Sequence, residues 1–114
     1  MIYHITSSTS WSAGQIAGVY TADSLKREGF IHCSKSSQIL RVAETWYTGQ
    51  RGLVLLEIDP TRLKPEVRWE PGTDKADELF PHVYGPINLD CVTEVLDFEP
   101  DPGGHFTLPL SLTR

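Results

Sequence analysis

Gly29-Phe30-Ile31-His32-Cys33-Ser34 decides how the rest of the chain is read. A short aromatic and β-branched run starts directly after a glycine and passes into Lys35-Ser36-Ser37, the grammar of a strand that feeds a helix start. Side chains two apart on a strand share a face, so Phe30, His32 and Ser34 point one way while Ile31 and Cys33 point the other. The chain opens with the same grammar. In Ile2-Tyr3-His4-Ile5-Thr6 one face carries Ile2, His4 and Thr6. Two strands, each with a histidine followed at +2 by a hydroxyl, predict one shared polar pocket.

Working outward, the elements form a single α+β domain over 1–114 with a mostly antiparallel sheet. Ser7 to Ser10 offer N-caps for a short helix over 10–17 that Gly14 and Gly18 interrupt. A helix over 21–28, capped by Thr21 or Asp23, ends at Gly29. The spacing of Ile39, Val42, Ala43 and Trp46 predicts an amphipathic helix over 36–48, closed by Gly49. Residues 53–58 are almost continuously apolar, as a central strand covered on both faces requires, and Asp59-Pro60 stops them.

Residues 67–70 alternate as a shorter strand, and 71–78 read as a polar, mobile loop. In Phe80-Pro81-His82-Val83-Tyr84-Gly85-Pro86 the prolines argue against a central ladder position, while Phe80, His82 and Tyr84 share a face if the segment is extended. Residues 91–98 form the last strand. The Pro/Gly-rich tail, 100–114, is either extended along an edge or loosely ordered.

Composition narrows the function classes. A formal net charge of −5 and a pI near 5.2 argue against general binding to nucleic acid or an anionic membrane, which needs a basic excess. No apolar run approaches spanning length, and the N-terminus has no basic and apolar leader pattern, so a cytoplasmic location is expected. Cys33 and Cys91 stand apart with no C-x-x-C spacing, which fits reduced core thiols; Cys33 also faces away from His32. The spacing of His4, His32 and His82 lacks the close pattern that makes a metal site readable, so no metal is expected. P-loop, dinucleotide-fold, nucleophile-elbow and zincin motifs are missing. Trp11, Trp46 and Trp69 read first as core; Trp11 and Tyr84 are the aromatics placed to stack on a base in a cleft.

Tyr3 to Thr6, Trp11, Tyr20, Gly29 to Gln38, Leu55 to Asp59, Trp69-Glu70 and Phe80 to Pro86 together resemble the bacterial domain-of-unknown-function family 952, over nearly the whole chain. That family is grouped with the ADP-ribosyl-fold superfamily of NAD-dependent ADP-ribosyltransferases and RNA 2′-phosphotransferases. The resemblance implies two split β-sheets flanked by helices, with an NAD-type cleft between them. It implies that His4 is the first cleft residue and His32 the second, with His82 or Glu70 in the third position. The phosphotransferase relatives carry an Arg just before the first His, where this chain has Tyr3.

Transfer from NAD passes through a cation-like transition state, and it calls for donors that fix the ribose and an acceptor near its hydroxyls. His4, His32 and His82 are therefore the candidate catalytic residues, since imidazole both donates and accepts near neutral pH. Thr6, Ser34, Ser36, Tyr84, Trp11 and Glu70 are the candidate ligand contacts. Ser36 and Ser37 open a helix whose N–H groups suit a phosphate, with Arg27, Lys35 and Arg41 as nearby counter-charges. The expected partner is a small nucleotide-type ligand, NAD among them, bound by a transferase-like enzyme of the ADP-ribosyl or phosphoryl kind. The alternative is a non-catalytic binding or interaction module on the same fold. Each residue also has a plainer reading: His4 and His32 as satisfied structural groups, His82 in a packed aromatic turn, and Ser34 to Ser37 as caps.

Overall fold

A computed structural model describes residues 1–73 and 75–113; Asp74, in the expected 71–78 loop, and Arg114, at the end of the tail, lie outside the described residues. Ile2–Ser7 forms β1, and its alternation separates two cores. Tyr3 and Ile5 pack in one with Leu53, Leu55 and Phe98, while Ile2 joins Val54, Leu56 and Ile58 in the other. β4 (Leu53–Ile58) is the centre of an antiparallel sheet between β1 and β8 (Val92–Asp97). Its unbroken apolar run is needed because both of its faces are covered.

α1 (Ser8–Ala17) is capped by Ser7, whose hydroxyl accepts from the Ser10 N–H at 3.0 Å. Gly14 does not break it, and has a packing duty instead: a Cβ there would sit 3.1 Å from Tyr20 Cα. Gly18, in the left-handed region at φ 84°, turns the chain into β2 (Val19–Tyr20), which pairs with β7 (Ile87–Asn88). α2 (Asp23–Glu28) follows. Its N-cap is Ala22, without a side-chain bond, in place of the expected Thr21 or Asp23, and Gly29 ends it at φ 92° as expected.

The strand expected at 30–34 is shorter than its sequence suggests. Only Ile31–His32 forms β3, and Ser34 leaves it to pair with Tyr3 through two reciprocal backbone bonds of 2.8 Å. That bridge joins β1 to a second three-stranded sheet, ordered β3, β6 (Leu79–Tyr84), β5 (Glu66–Pro71). β6 is therefore the central strand, against the expectation drawn from its prolines. Pro81 is tolerated because its carbonyl accepts from the Cys33 N–H at 3.1 Å on the side where β3 has already ended. Only the return bond of that one pair is lost.

The helix expected over 36–48 divides into a 3-10 turn at Ser36–Gln38 and α3 (Ile39–Trp46). Buried Gln38 causes the change of pitch. Its amide donates to Glu78 at 2.6 Å and to the Leu79 carbonyl at 2.9 Å, and its oxygen accepts from the Lys35 N–H at 2.9 Å. The tail is ordered against the core of Tyr3, Ile5 and Leu55 by Phe106, stacked 4.8 Å from Phe98. The result is a small single-domain α+β fold of antiparallel sheets. Among the described residues no helix is long and apolar enough to cross a membrane.

Candidate functional site

A cleft of about 550 Å3 opens between the two larger sheets and is bordered by α2 and α3. His4, Thr6, His32, Ser34 and His82 all line it, so strands β1, β3 and β6 each bring an imidazole to one hollow. The three rings are held quite differently.

His4 is the anchored one. It is 7% exposed, its Nδ1 lies 2.6 Å from the His32 carbonyl oxygen, and its Nε2 lies 2.7 Å from the Tyr20 hydroxyl. A carbonyl can only accept, so Nδ1 carries the proton. Burial pushes the ring down from its usual range to about 4, against the favourable His32 carbonyl, so at neutral pH the ring is neutral and Nε2 accepts. The Tyr20 proton is then committed to His4, and Thr6, whose hydroxyl lies 2.8 Å from that of Tyr20, donates to Tyr20. This chain, Thr6 to Tyr20 to His4 to the His32 carbonyl, ties β1, β2 and β3 together inside the fold. Burial also raises the Tyr20 hydroxyl to about 12, which keeps it protonated.

His32 and His82 are the open pair. They are register partners on β3 and β6, with ring centroids 5.5 Å apart at 72°. His82 Nδ1 donates to Glu70 at 2.8 Å, and the Tyr84 hydroxyl donates to the same carboxylate oxygen at 2.5 Å. Those two bonds, Tyr84 first, hold the Glu70 carboxyl below the usual carboxylate range. Phe30 stacks on the His82 ring at 4.0 Å and meets the edge of His32. His32 Nε2 lies 3.1 Å from Glu28, one turn back across the α2 end. Each ring therefore has one nitrogen on a carboxylate and, among the described residues, one without a protein partner. Because among the described residues no buried side-chain nitrogen or oxygen lacks a partner, those two nitrogens are reached by solvent.

Of the other expected contacts, Trp11, Ser36, Glu70 and Tyr84 do not line the cleft. Trp11 packs on Tyr20 at 6.1 Å as part of the core. Ser36 is exposed at the start of the 3-10 turn. Glu70 and Tyr84 stand behind His82 on the same sheet face, where Arg68 covers the Tyr84 ring at 4.4 Å. Trp46 corrects the expectation that it is core: it is 56% exposed and lines the cleft at the end of α3 beside Tyr47, because α3 stops before another turn can cover it. Trp69 is likewise 48% exposed, on an edge strand. Arg27, exposed on α2, is the one Lys or Arg among the described residues that borders the cleft. Burial pushes the Cys33 thiol up, which leaves it protonated and poorly nucleophilic. Among the described residues, no group of three or more His, Cys, Asp or Glu is placed to hold a metal ion.

A family model described as "Protein of unknown function (DUF952)" matches residues 5–95. The crystal structure of protein CC0527 from Caulobacter crescentus is 34% identical, with 99% of this chain and 98% of that chain covered and a TM-score of 0.84. A crystal structure of a double mutant of CC0527 gives 33% identity and the same TM-score of 0.84. The solution NMR structure of CC0527 matches at 35% identity over 91% of this chain and 89% of that chain, with a TM-score of 0.76. Among curated proteins, none matches.

Proposed function

The chain belongs to the DUF952 family, and from that premise we propose that its cleft binds NAD or a related nucleotide and serves transferase-like chemistry on an ADP-ribosyl-type fold. The observation that carries this reading is the convergence of His4, His32 and His82, from three strands of two sheets, on one hollow. Its volume of about 550 Å3 falls in the range of small-ligand sites. The split into two three-stranded sheets, with the cleft between them, supports the superfamily likeness.

In this reading the free nitrogens of His32 and His82 contact ribose or phosphate oxygens. Arg27 supplies the counter-charge, and Trp46 offers a flat apolar surface to a base or nicotinamide ring. His4 acts through others, by fixing the β3 carbonyl from which His32 projects. Glu70 holds His82 in one tautomer and orientation. The ligand test is thermal: millimolar NAD, ADP-ribose or a nucleoside 2′-phosphate is expected to raise the melting temperature, since a ligand at 100 times its Kd adds about 2.7 kcal/mol. If none of the three moves the transition, the reading fails.

A non-catalytic binding module is the second reading, favoured by one observation. His4, the residue matched to the first catalytic position, has both ring nitrogens committed to protein partners. Binding without release of nicotinamide or modification of any acceptor, after prolonged incubation, would select this second version.

A further inference from the structure

Resting on the nucleotide reading of the cleft, we infer that His32 and His82 are a general acid–base pair that hydrolyses a nucleoside 2′,3′-cyclic phosphate. The two rings meet edge to face across adjacent strands, with centroids 5.5 Å apart at 72°. Each is oriented by a carboxylate on one nitrogen, Glu28 for His32 and Glu70 for His82, has no partner among the described residues on the other, and lines the cleft. Departure of nicotinamide from NAD needs no proton donor, because the pyridinium leaves as a neutral molecule. A second imidazole is therefore surplus to that reaction. Displacement at a phosphorus ester uses both: the entering oxygen must lose a proton and the leaving oxygen must gain one, on opposite sides of the phosphorus.

His82 is the base. Its Nδ1–H is held by Glu70, so the Nε2 lone pair faces the cleft and removes a proton from water. The water oxygen bonds to phosphorus, the bond from phosphorus to the ribose 2′ oxygen breaks, and protonated His32 gives its Nδ1 proton to that oxygen. The product is a nucleoside 3′-phosphate with a free 2′ hydroxyl. His32, whose side chain is 42% exposed, regains a proton from solvent as His82 releases one. Arg27 borders the cleft as the cation for the phosphate oxygens.

Conversion of 2′,3′-cyclic AMP to 3′-AMP, followed by 31P NMR, tests this on the intact chain. Turnover is expected, with His32→Gln and His82→Gln each lowering kcat about 100-fold or more. His105→Gln, on the exposed tail, is expected to leave the rate unchanged. His32→Gln alters a half-exposed ring and keeps the test valid if the His82 variant does not fold. Cyclic phosphate left intact by the native protein, or hydrolysis undiminished in His32→Gln, overturns the assignment. If NAD raises the melting temperature in the same preparation, that failure belongs to the acid–base pair alone and the nucleotide reading stands.

Discussion

His4 and His82 are excluded from bulk solvent to nearly the same degree, 7% and 4% exposed, yet one is closed and the other open. His4 spends both nitrogens on the fold, on a carbonyl and a phenol. His82, which lines the cleft, spends one on Glu70 and keeps the other without a partner among the described residues. Burial alone therefore does not separate an imidazole with both nitrogens bonded from one with a nitrogen to spare. What separates them is the count of partners set against the two nitrogens available.

The largest expected break in this comparison comes from His4→Ala. It strands the His32 carbonyl, at about 1–3 kcal/mol, leaves the Tyr20 hydroxyl with Thr6 alone, and opens a cavity, so a loss of about 3–5 kcal/mol is expected in denaturant unfolding. A loss below about 1 kcal/mol would show that the closed ring is not holding the strands. The pH dependence comes next. The folded ring takes its proton near pH 4 and the unfolded ring near 6.5, so between these values the unfolded chain binds more protons. The stabilisation is fully present above pH 6.5 and is lost as pH falls through 4, by about 3 kcal/mol. His4→Gln is expected to remove that component of the slope, leaving the part due to carboxylates.

A smaller effect is expected from Gly14→Ala. Its new methyl would press on Tyr20 at 3.1–3.2 Å, which displaces the phenol from His4 and costs about 1–3 kcal/mol by thermal melting. The smallest change sharpens the open side. Glu28→Gln removes an exposed partner of His32, and a stability change within about 1 kcal/mol is expected, with the effect confined to ligand binding. A large destabilisation would mean that the open pair is also part of the scaffold.

Much of this was legible in the residues. Alternation placed Ile31 and Cys33 in the core, opposite His32, and the paired His-x-hydroxyl pattern brought His4, Thr6, His32 and Ser34 to one cleft. The pattern could not say that Thr6 serves Tyr20, because that contact requires α1 to fold β2 back over β1 across 14 positions. Nor could it give Trp46 to the cleft: helical spacing puts it on the apolar stripe, and only the end of α3 exposes it. Pro81 misled for a local reason. A missing donor excludes a strand from a ladder only where an acceptor waits, and β3 has ended there. Glu70 was recognisable as a candidate, but its place behind His82 depends on the β5–β6 register, which pairs Arg68 with His82 and Glu70 with Phe80.

The reciprocal backbone bonds between Tyr3 and Ser34 give the cleft a narrow seam. The bond from His4 to the His32 carbonyl and the shared core of Ile2, Leu56, Ile31 and Val83 back that seam, so the near edges of the two sheets are fastened by main chain, side chain and packing together. The amide protons of Tyr3 and Ser34, each held in a reciprocal 2.8 Å bond inside that join, are expected to be among the slowest in the chain to exchange with deuterium.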